Sequence, residues 1–189
     1  LTSDTPILVE DFEPTQRFLR IAVVTETWPP EVNGVAVTLS KLIQHLGQRQ
    51  HTIQLIRPRQ DKHDAGVEQT GWSELLLRGL PIPRYPQLKL GLPSKKALIK
   101  AWSTRRPDLV HIATEGPLGL SARAYAVKNR LPFSTAYHTR FPEYVKARTG
   151  IPLAITYAFI RWFHGPSMAV MAPTVVVKDD LEKYGLNNV

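Results

Sequence analysis

The stretch from Arg20 to Leu46 constrains the fold of this chain more than any other. It opens with a short apolar and β-branched run, 21–24, of the kind that lies buried in a parallel sheet. A polar, proline-bearing loop follows, and beyond Gly34 the apolar residues recur at helical spacing. This spacing predicts a helix that begins near Gly34 and buries one apolar face, made of Val35, Leu39, Leu42, Ile43 and Leu46. The order of strand, loop, glycine and helix is typical of an open α/β sheet.

The predicted helix N-terminus at Gly34 lies at the carboxyl edge of the strands, where ligands bind in open α/β sheets. Free N–H groups and the positive end of the helix dipole attract phosphate there, and a glycine lets the ligand approach the backbone because it has no Cβ. The sequence contains neither G-x-G-x-x-G nor G-x-x-x-x-G-K-[ST], so the two best-defined nucleotide motifs are absent. A glycine that only relieves crowding at the turn is the alternative.

Length and composition describe an ordinary globular domain. A chain of 189 residues, 43% of them hydrophobic, is long enough for a substantial core in one domain. Cysteine is absent, which excludes disulfides and thiolate metal sites and suits a reducing compartment. Four histidines show no metal-ligand spacing, so we expect no metal site among them: His45, His51, His63 and His164.

The net charge of +8 is unevenly distributed along the chain. Between Glu74 and Asp108 there are eight basic residues and no acidic one. Such a stretch can contact an anionic membrane, bind nucleic acid or form a solvated surface, and the last is the commonest case. Nucleic acid is the weakest of the three, because no recognised binding motif accompanies the charge. An apolar stretch, 151–163, is too short to span a bilayer and predicts a buried or interfacial helix.

Strands and helices alternate along the rest of the chain. Beyond an extended arm at 1–17, strands are predicted at 52–56, 75–77, 80–86, 109–112, 132–137 and 168–172, helices at 93–104, 120–129 and 173–185, and a loop at 59–73. This alternation predicts an α/β domain with a Rossmann-like, doubly wound parallel sheet over residues 18–189. Right-handed crossovers place the loops after the strands on one edge, so three polar loops, 25–34, 114–119 and 138–142, should converge there.

Several blocks of the sequence resemble those of retaining GT-B glycosyltransferases. The opening block, Ile21-Ala-Val-Val-Thr25 followed by Asn33-Gly34-Val35, is similar to the start of their first domain. Later blocks follow in the family's order, namely Pro107-Asp-Leu-Val-His-Ile112 with Thr114-Glu-Gly-Pro-Leu-Gly119, then Tyr137-His-Thr-Arg-Phe-Pro-Glu-Tyr144, then Ala172-Pro-Thr174 through Gly185. The resemblance is strongest to the branch of bacterial mannosyltransferases and glycolipid-making glucosyl- and sulfoquinovosyltransferases. Asn33 and Gln50 depart from it, since the family often has glycine at both positions.

The resemblance implies roles for residues in the three polar loops. The donor diphosphate would contact Asn33, Gly34 and Val35. His138 matches the histidine that approaches the donor sugar and the reaction centre, and is the predicted catalytic residue. Acceptor binding would involve Thr114, Glu115, Thr139 and Arg140. Glu26 and Glu31 are expected to be solvated loop carboxylates without a catalytic role.

The implied protein is the first, acceptor-side domain of a two-domain, nucleotide-sugar-dependent retaining glycosyltransferase, one half of a GT-B fold. The resemblance implies no cofactor in this domain, a nucleotide-diphosphate sugar as the donor substrate, and a sugar or lipid acceptor. It also implies a cytoplasmic protein, peripheral on the inner face of an anionic membrane, that binds no nucleic acid. Two other classes stay open: a non-catalytic nucleotide-binding or oxidoreductase domain, and a nucleic-acid-binding domain that would rest on charge alone.

Overall fold

The computed structural model describes residues 18–31, 33–82, 85–138, 150 and 152–189. The predicted arm at 1–17 lies outside this part of the chain. The described strands are β1 (Arg20–Val24), β2 (Thr52–Pro58), β3 (Glu68–Gln69), β4 (Trp72–Leu77), β5 (Gly79–Ile82), β6 (Tyr85–Gly91), β7 (Leu109–Ile112), β8 (Phe133–Ala136) and β9 (Val170–Met171). The described helices are α1 (Gly34–Gln48), α2 (Lys95–Thr104), α3 (Pro117–Lys128), α4 (Leu153–His164) and α5 (Val175–Lys183).

Seven of the strands form one sheet in the order β3-β4-β2-β1-β7-β8-β9. All neighbouring pairs are parallel except β3 with β4, and Ile21 in the central strand lies opposite Ile53 of β2 and Leu109 of β7. Strands β5 and β6 form a separate antiparallel hairpin. The predicted α/β class with a Rossmann-like parallel sheet is confirmed, and the carboxyl ends of the parallel strands share one edge.

The central strand is buried on both faces, as its apolar composition predicts. Ala22 and Val24 pack with residues of α2 and α3 on one face, while Ile21 and Val23 pack with α1 on the other. This division follows from the two-residue period of a strand. The predicted apolar face of α1 is confirmed, with Leu39 and Ile43 buried and Val35, Leu42 and Leu46 packed beside them. Strand β1 and helix α1 therefore hold the ends of the intervening loop firmly.

The segment 59–73, predicted as a loop, contains β3 and the first residues of β4. The prediction is wrong here because charged residues of this region are buried as an ion cluster. Arg57 Nη1 lies 2.6 Å from Asp64 Oδ2 and Arg57 Nη2 lies 2.7 Å from Glu74 Oε2, and none of the three side chains is more than 13% exposed. Charged side chains can be buried when they are paired, and Glu74 therefore lies within β4. The polar sequence of this region does not show the period of a strand.

Helix α3 begins earlier than predicted, and helix α4 forms where an apolar helix was predicted. Helix α3 begins at Pro117 rather than at position 120, because proline fits the first turn, where its missing N–H leaves no helical bond unmade. Helix α4 is apolar on both its buried and its exposed sides. Ile160 and Phe163 are buried, whereas Ile155 and Trp162 are 61% and 53% exposed. None of the helices in the described part of the chain is long and apolar enough to cross a bilayer.

Candidate functional site

A cavity of about 550 Å³, which we call the edge cavity, opens at the carboxyl edge of the sheet. It lies where the loops after β1, β8 and β9 meet the end of β6. Its described lining residues are Glu26, Thr27, Glu31, Asn33, Gly34, Val35, Thr38, Lys89, Leu90, His138 and Pro173. The structure thus brings the predicted donor-site residues and the predicted catalytic histidine to one cavity, as the parallel topology requires.

The N-terminus of α1 is open toward the edge cavity. Asn33 caps the helix: its Oδ1 accepts the N–H of Ala36 at 2.8 Å and its carbonyl accepts the N–H of Val37 at 3.2 Å. The N–H groups of Gly34 and Val35 have no acceptor among the described residues. A Cβ on Gly34 would meet no described atom within 4 Å beyond its own helix and chain neighbours. Two N–H groups without a described acceptor therefore lie at the positive end of a helix whose first residues line the cavity, which suits a phosphate.

The loop before α1 is held by a carboxylate that was expected to be solvated. Glu31 is 9% exposed and accepts hydrogen bonds from Thr27 Oγ1, from Asn33 Nδ2 at 3.3 Å and from Gln60 Nε2 at 3.2 Å. The Asn33 amide also donates to Thr27 Oγ1 at 2.6 Å. The prediction for Glu31 is wrong because the loop folds back on itself and supplies two donors, and Gln60, which follows β2, supplies a third. These bonds orient Asn33, and through it the first turn of α1.

Glu26 is buried as well, at 8% exposure, and the prediction of a solvated carboxylate is wrong for it too. Its Oε1 accepts the N–H of Leu118 at 2.8 Å, and its Oε2 accepts the N–H of Gly91. Burial raises the pKa of Glu26, and the backbone hydrogen bonds pull that pKa down in part. A Cβ on Gly116 would overlap the Glu26 side chain. The N-terminus of α3 is therefore occupied by an anion of the protein itself.

His138 follows β8 directly and its imidazole lines the edge cavity. Its Nε2 is shielded from solvent and has no hydrogen-bond partner in the described part of the chain. Burial lowers the pKa of His138, against an opposing pull from the Glu115 carboxylate, so the ring is neutral near pH 7. Leaving a buried ring nitrogen unpaired is costly. A hydrogen-bond partner at Nε2 would offset this cost.

Two buried histidines behind this site are not singled out as site residues by the sequence pattern. His111, in β7, has Nδ1 3.0 Å from Ser134 Oγ, and burial, followed by the neighbouring charge of His138, lowers the pKa of His111 to about 4. His164, at the end of α4, has Nδ1 2.8 Å from Thr135 Oγ1 and Nε2 3.3 Å from Glu115 Oε1. The sequence feature that indicates their burial is their position in apolar stretches, where a histidine needs a polar partner.

The predicted acceptor residues are only partly described. Thr114 and Glu115 do not belong to the described lining of the edge cavity. Thr114 Oγ1 accepts the N–H of Glu26 at 2.9 Å and so joins the loops after β1 and β7, while Glu115 lies against His164. Thr139 and Arg140 lie outside the described residues. An acceptor role for these four residues stays a prediction.

A basic cavity of about 390 Å³ adjoins the edge cavity and shares Lys89 with it. Four of its described lining side chains are basic and one is acidic: Arg59, Lys62, Arg78 and Lys89, with Asp61. Lys89 is therefore a site residue that sequence reasoning places only within a basic stretch. Over the described ranges, no group of three or more acidic, histidine or cysteine side chains is arranged to hold a metal ion.

Comparison with known proteins identifies relatives of one enzyme class. A sequence model of Glycosyltransferase Family 4 matches residues 32–189. A GDP-mannose-dependent alpha-mannosyltransferase of Corynebacterium glutamicum is 26% identical over 177 residues, which are 92% of this chain and 42% of that protein. An alpha-monoglucosyldiacylglycerol synthase of Streptococcus pneumoniae is 25% identical over 170 residues, which are 88% of this chain and 38% of that protein. The chain spans less than half the length of these relatives.

Among solved structures, the UDP-GlcNAc 2-epimerase from Methanocaldococcus jannaschii matches with a TM-score of 0.57 at 16% identity, over 90% of this chain and 44% of that one. This likeness concerns the fold alone, a Rossmann-like α/β domain. The family match, by contrast, runs from just before α1 to the last residue and includes Gly34, Lys89 and His138. The chain therefore belongs to Glycosyltransferase Family 4.

Proposed function

We propose that this chain is the acceptor-side domain of a nucleotide-sugar-dependent retaining glycosyltransferase and closes over a donor held by a second domain. One observation carries the proposal: the first residues of α1, whose N–H groups have no acceptor among the described residues, and His138 line one cavity. Membership of Glycosyltransferase Family 4 supports the reaction class, and the named mannosyl- and glucosyl-transferring relatives support it further.

The donor diphosphate would bind at the N-terminus of α1. Gly34 and Val35 would donate their N–H groups to its oxygens, and the absence of a Cβ at Gly34 lets those oxygens come close. The competing terminus, that of α3, already holds the Glu26 carboxylate. Negative charge grows on the leaving phosphate as the glycosidic bond breaks, so fixed donors at this position stabilise the transition state.

His138 would contact the transferred sugar. Its neutral imidazole lines the edge cavity and can form one hydrogen bond there, which suits a sugar hydroxyl. The two carboxylates of the edge cavity already have structural partners, Glu26 backbone N–H groups and Glu31 three side chains, and we assign neither of them as a nucleophile. Catalysis would then depend on positioning the acceptor hydroxyl beside the leaving phosphate.

The acceptor would approach from the side of the basic cavity. Lys89 belongs to both cavities, so an acceptor with an anionic group bound by Arg59, Lys62 and Arg78 would lie beside the reaction centre. Helix α2 adds three exposed lysines from the same basic stretch of the sequence: Lys95, Lys96 and Lys100. We propose that the acceptor is a lipid reached at an anionic membrane surface, although a soluble anionic sugar has the same chemistry.

Glycosyl transfer is tested with the complete protein that contains this chain. Supplied with GDP-mannose or UDP-glucose and lipid or sugar acceptors, it should form a glycosylated product. The 189-residue chain alone should fold without transferring sugar, because the proposal places the donor on a second domain and the chain spans less than half the length of its relatives. Absence of transfer from every nucleotide sugar tried would contradict the proposal, and an absorbance change with a nicotinamide cofactor would instead favour an oxidoreductase.

Membrane docking is tested by liposome flotation of the same protein. Binding to anionic vesicles should weaken with salt, and replacing Lys95, Lys96 and Lys100 with glutamine should weaken it by about 1 kcal/mol per lysine. A control with the same change in charge replaces three exposed lysines elsewhere: Lys41, Lys128 and Lys183. Equal recovery with neutral and anionic vesicles, or equal losses in the two triple variants, would argue for a soluble acceptor.

A further inference from the structure

A separate cavity of about 510 Å³, which we call the tryptophan groove, lies between the C-terminal half of α1 and the turn that joins β3 to β4. It shares no described lining residue with the edge cavity or the basic cavity. Its volume falls in the range of small-molecule sites. The groove has no part in the proposed glycosyl transfer, and its chemistry differs from that of the other two cavities.

Two tryptophans form the aromatic wall of the groove. The ring centroids of Trp28 and Trp72 are 6.1 Å apart with their planes inclined by 34°. Both side chains pack on the cluster that contains Ile43 and Ile53, so the indoles are held in place while part of each stays exposed. An indole surface of this kind stacks on the apolar C–H face of a pyranose ring. The inclined rings leave no parallel slot for a planar ligand between them.

Side chains that both donate and accept hydrogen bonds surround the two rings. Gln44, Gln69 and Thr70 line the groove and are exposed, so their polar groups are free to reorient toward a ligand. His51 Nδ1 accepts the N–H of Leu19 at 3.1 Å, which places the ring proton of the neutral imidazole on Nε2 as a donor. Sugar hydroxyls need such mixed partners, because each hydroxyl is donor and acceptor at once.

The groove has no acidic, lysine or arginine side chain in its described lining, although the net charge of the chain is +8. None of its 12 described lining residues is Asp, Glu, Lys or Arg, whereas the edge cavity contains Glu26 and Lys89 and the basic cavity contains Arg78. A phosphate in the groove would find no lysine or arginine in the described lining to pair with, so the lining disfavours nucleotides and sugar phosphates. We propose that the tryptophan groove binds a neutral carbohydrate, stacked on Trp28 and Trp72.

The groove and the edge cavity lie on two sides of one loop. Trp28 belongs to the loop between β1 and α1, next to Thr27, whose hydroxyl is bonded to Glu31 and Asn33. A sugar stacked on Trp28 therefore contacts the segment that orients the cap of α1. Carbohydrate binding in the groove would restrict the movement of this loop.

Binding can be measured on the 189-residue chain by NMR, with maltotriose and methyl α-mannoside as probes. The indole N–H signals of Trp28 and Trp72 should shift saturably, and those of Trp102, buried in the core, and Trp162, on α4, should not. Trp72→Ala should weaken binding at least about tenfold, which corresponds to about 1.4 kcal/mol. Trp162→Ala removes an equal side chain outside the groove and should leave the affinity unchanged.

Two further variants separate binding from folding, since Trp72 also packs on the core. Trp72→Phe keeps an aromatic face and should retain binding within about threefold, and Gln69→Ala changes an exposed side chain and should weaken binding about threefold without altering stability. No saturable shift with either glycoside, equal affinity in Trp72→Ala, or tighter binding of adenosine or glucose 1-phosphate would overturn the proposal. The measurement needs no transfer activity, so its failure is distinguishable from failure of the proposed function.

Discussion

The N-termini of α1 and α3 face the same edge of the sheet but differ in what occupies them. At α3, the Glu26 carboxylate accepts the N–H of Leu118 at 2.8 Å and lies against Gly116. At α1, the N–H groups of Gly34 and Val35 have no acceptor among the described residues and face the edge cavity. One terminus is filled by an anion of the protein, and the other is open to a ligand.

This difference shows that a helix N-terminus indicates an anion but not its source. Both termini offer the same partial positive charge. The role of each terminus depends on whether the fold places a carboxylate against it. The loop after β1 places Glu26 against the N-terminus of α3. The adjacent histidines repeat the contrast, because His138 faces the edge cavity while His164 is fully buried behind the loop that leads into α3.

The largest effect on activity is expected for a substitution of His138, which lines the edge cavity together with the open N-terminus of α1. In the complete protein, His138→Ala should lower kcat/KM about 100-fold, or about 2.7 kcal/mol of lost transition-state stabilisation, with little change in Tm. His164→Ala is the matched control, and it should lower the free energy of unfolding by about 2 kcal/mol because it removes a buried hydrogen-bonded ring. Steady-state kinetics and thermal unfolding of both variants check this. Preserved activity in a destabilised His138→Ala protein would remove the catalytic assignment.

A smaller effect should separate the two glycines at the helix termini. Gly116→Ala should cost about 2 kcal/mol of unfolding free energy, because its Cβ overlaps the buried Glu26 side chain. Gly34→Ala should change stability by less than about 0.5 kcal/mol, since a Cβ there meets open space, but it should weaken donor binding in the complete protein. Urea unfolding and calorimetric titration with a nucleotide sugar measure the two quantities. Similar stability losses in the two variants would show that both termini are closed.

The smallest effect concerns the pH dependence of stability. Burial raises the pKa of Glu26 above 4.5, so the unfolding free energy should fall as pH rises from 4.5 through that raised pKa, and Glu26→Gln should flatten this part of the profile. The Arg57 hydrogen bond lowers the pKa of Asp64 from 3.8 to about 2, so stability should be lost as pH falls through that interval, and Asp64→Asn should remove that loss. Urea unfolding at a series of pH values tests both signs. If the contributions of Glu26 and Asp64 made the unfolding free energy change with pH in the same direction, the burial of Glu26 would be contradicted.

Much of the architecture could be predicted from local pattern. The apolar run at 21–24 and the helical spacing after Gly34 are properties of adjacent residues, and they act through the strand and helix periods themselves. Alternation of such units requires a parallel sheet, which in turn places Gly34 and His138 at one edge. The order of the sequence blocks also led to the family that the comparison confirms.

What the sequence determined by itself was therefore the parallel sheet, the edge at which its polar loops meet, and the family. The tertiary structure alone decided which charged groups are buried and which helix end is open. Glu26 is bonded to Gly91 and Leu118, which are 65 and 92 residues away, and Arg57 is bonded to Glu74 across two strands. Periodicity reflects neighbours a few residues apart, whereas burying a charge depends on partners that only the folded chain brings together.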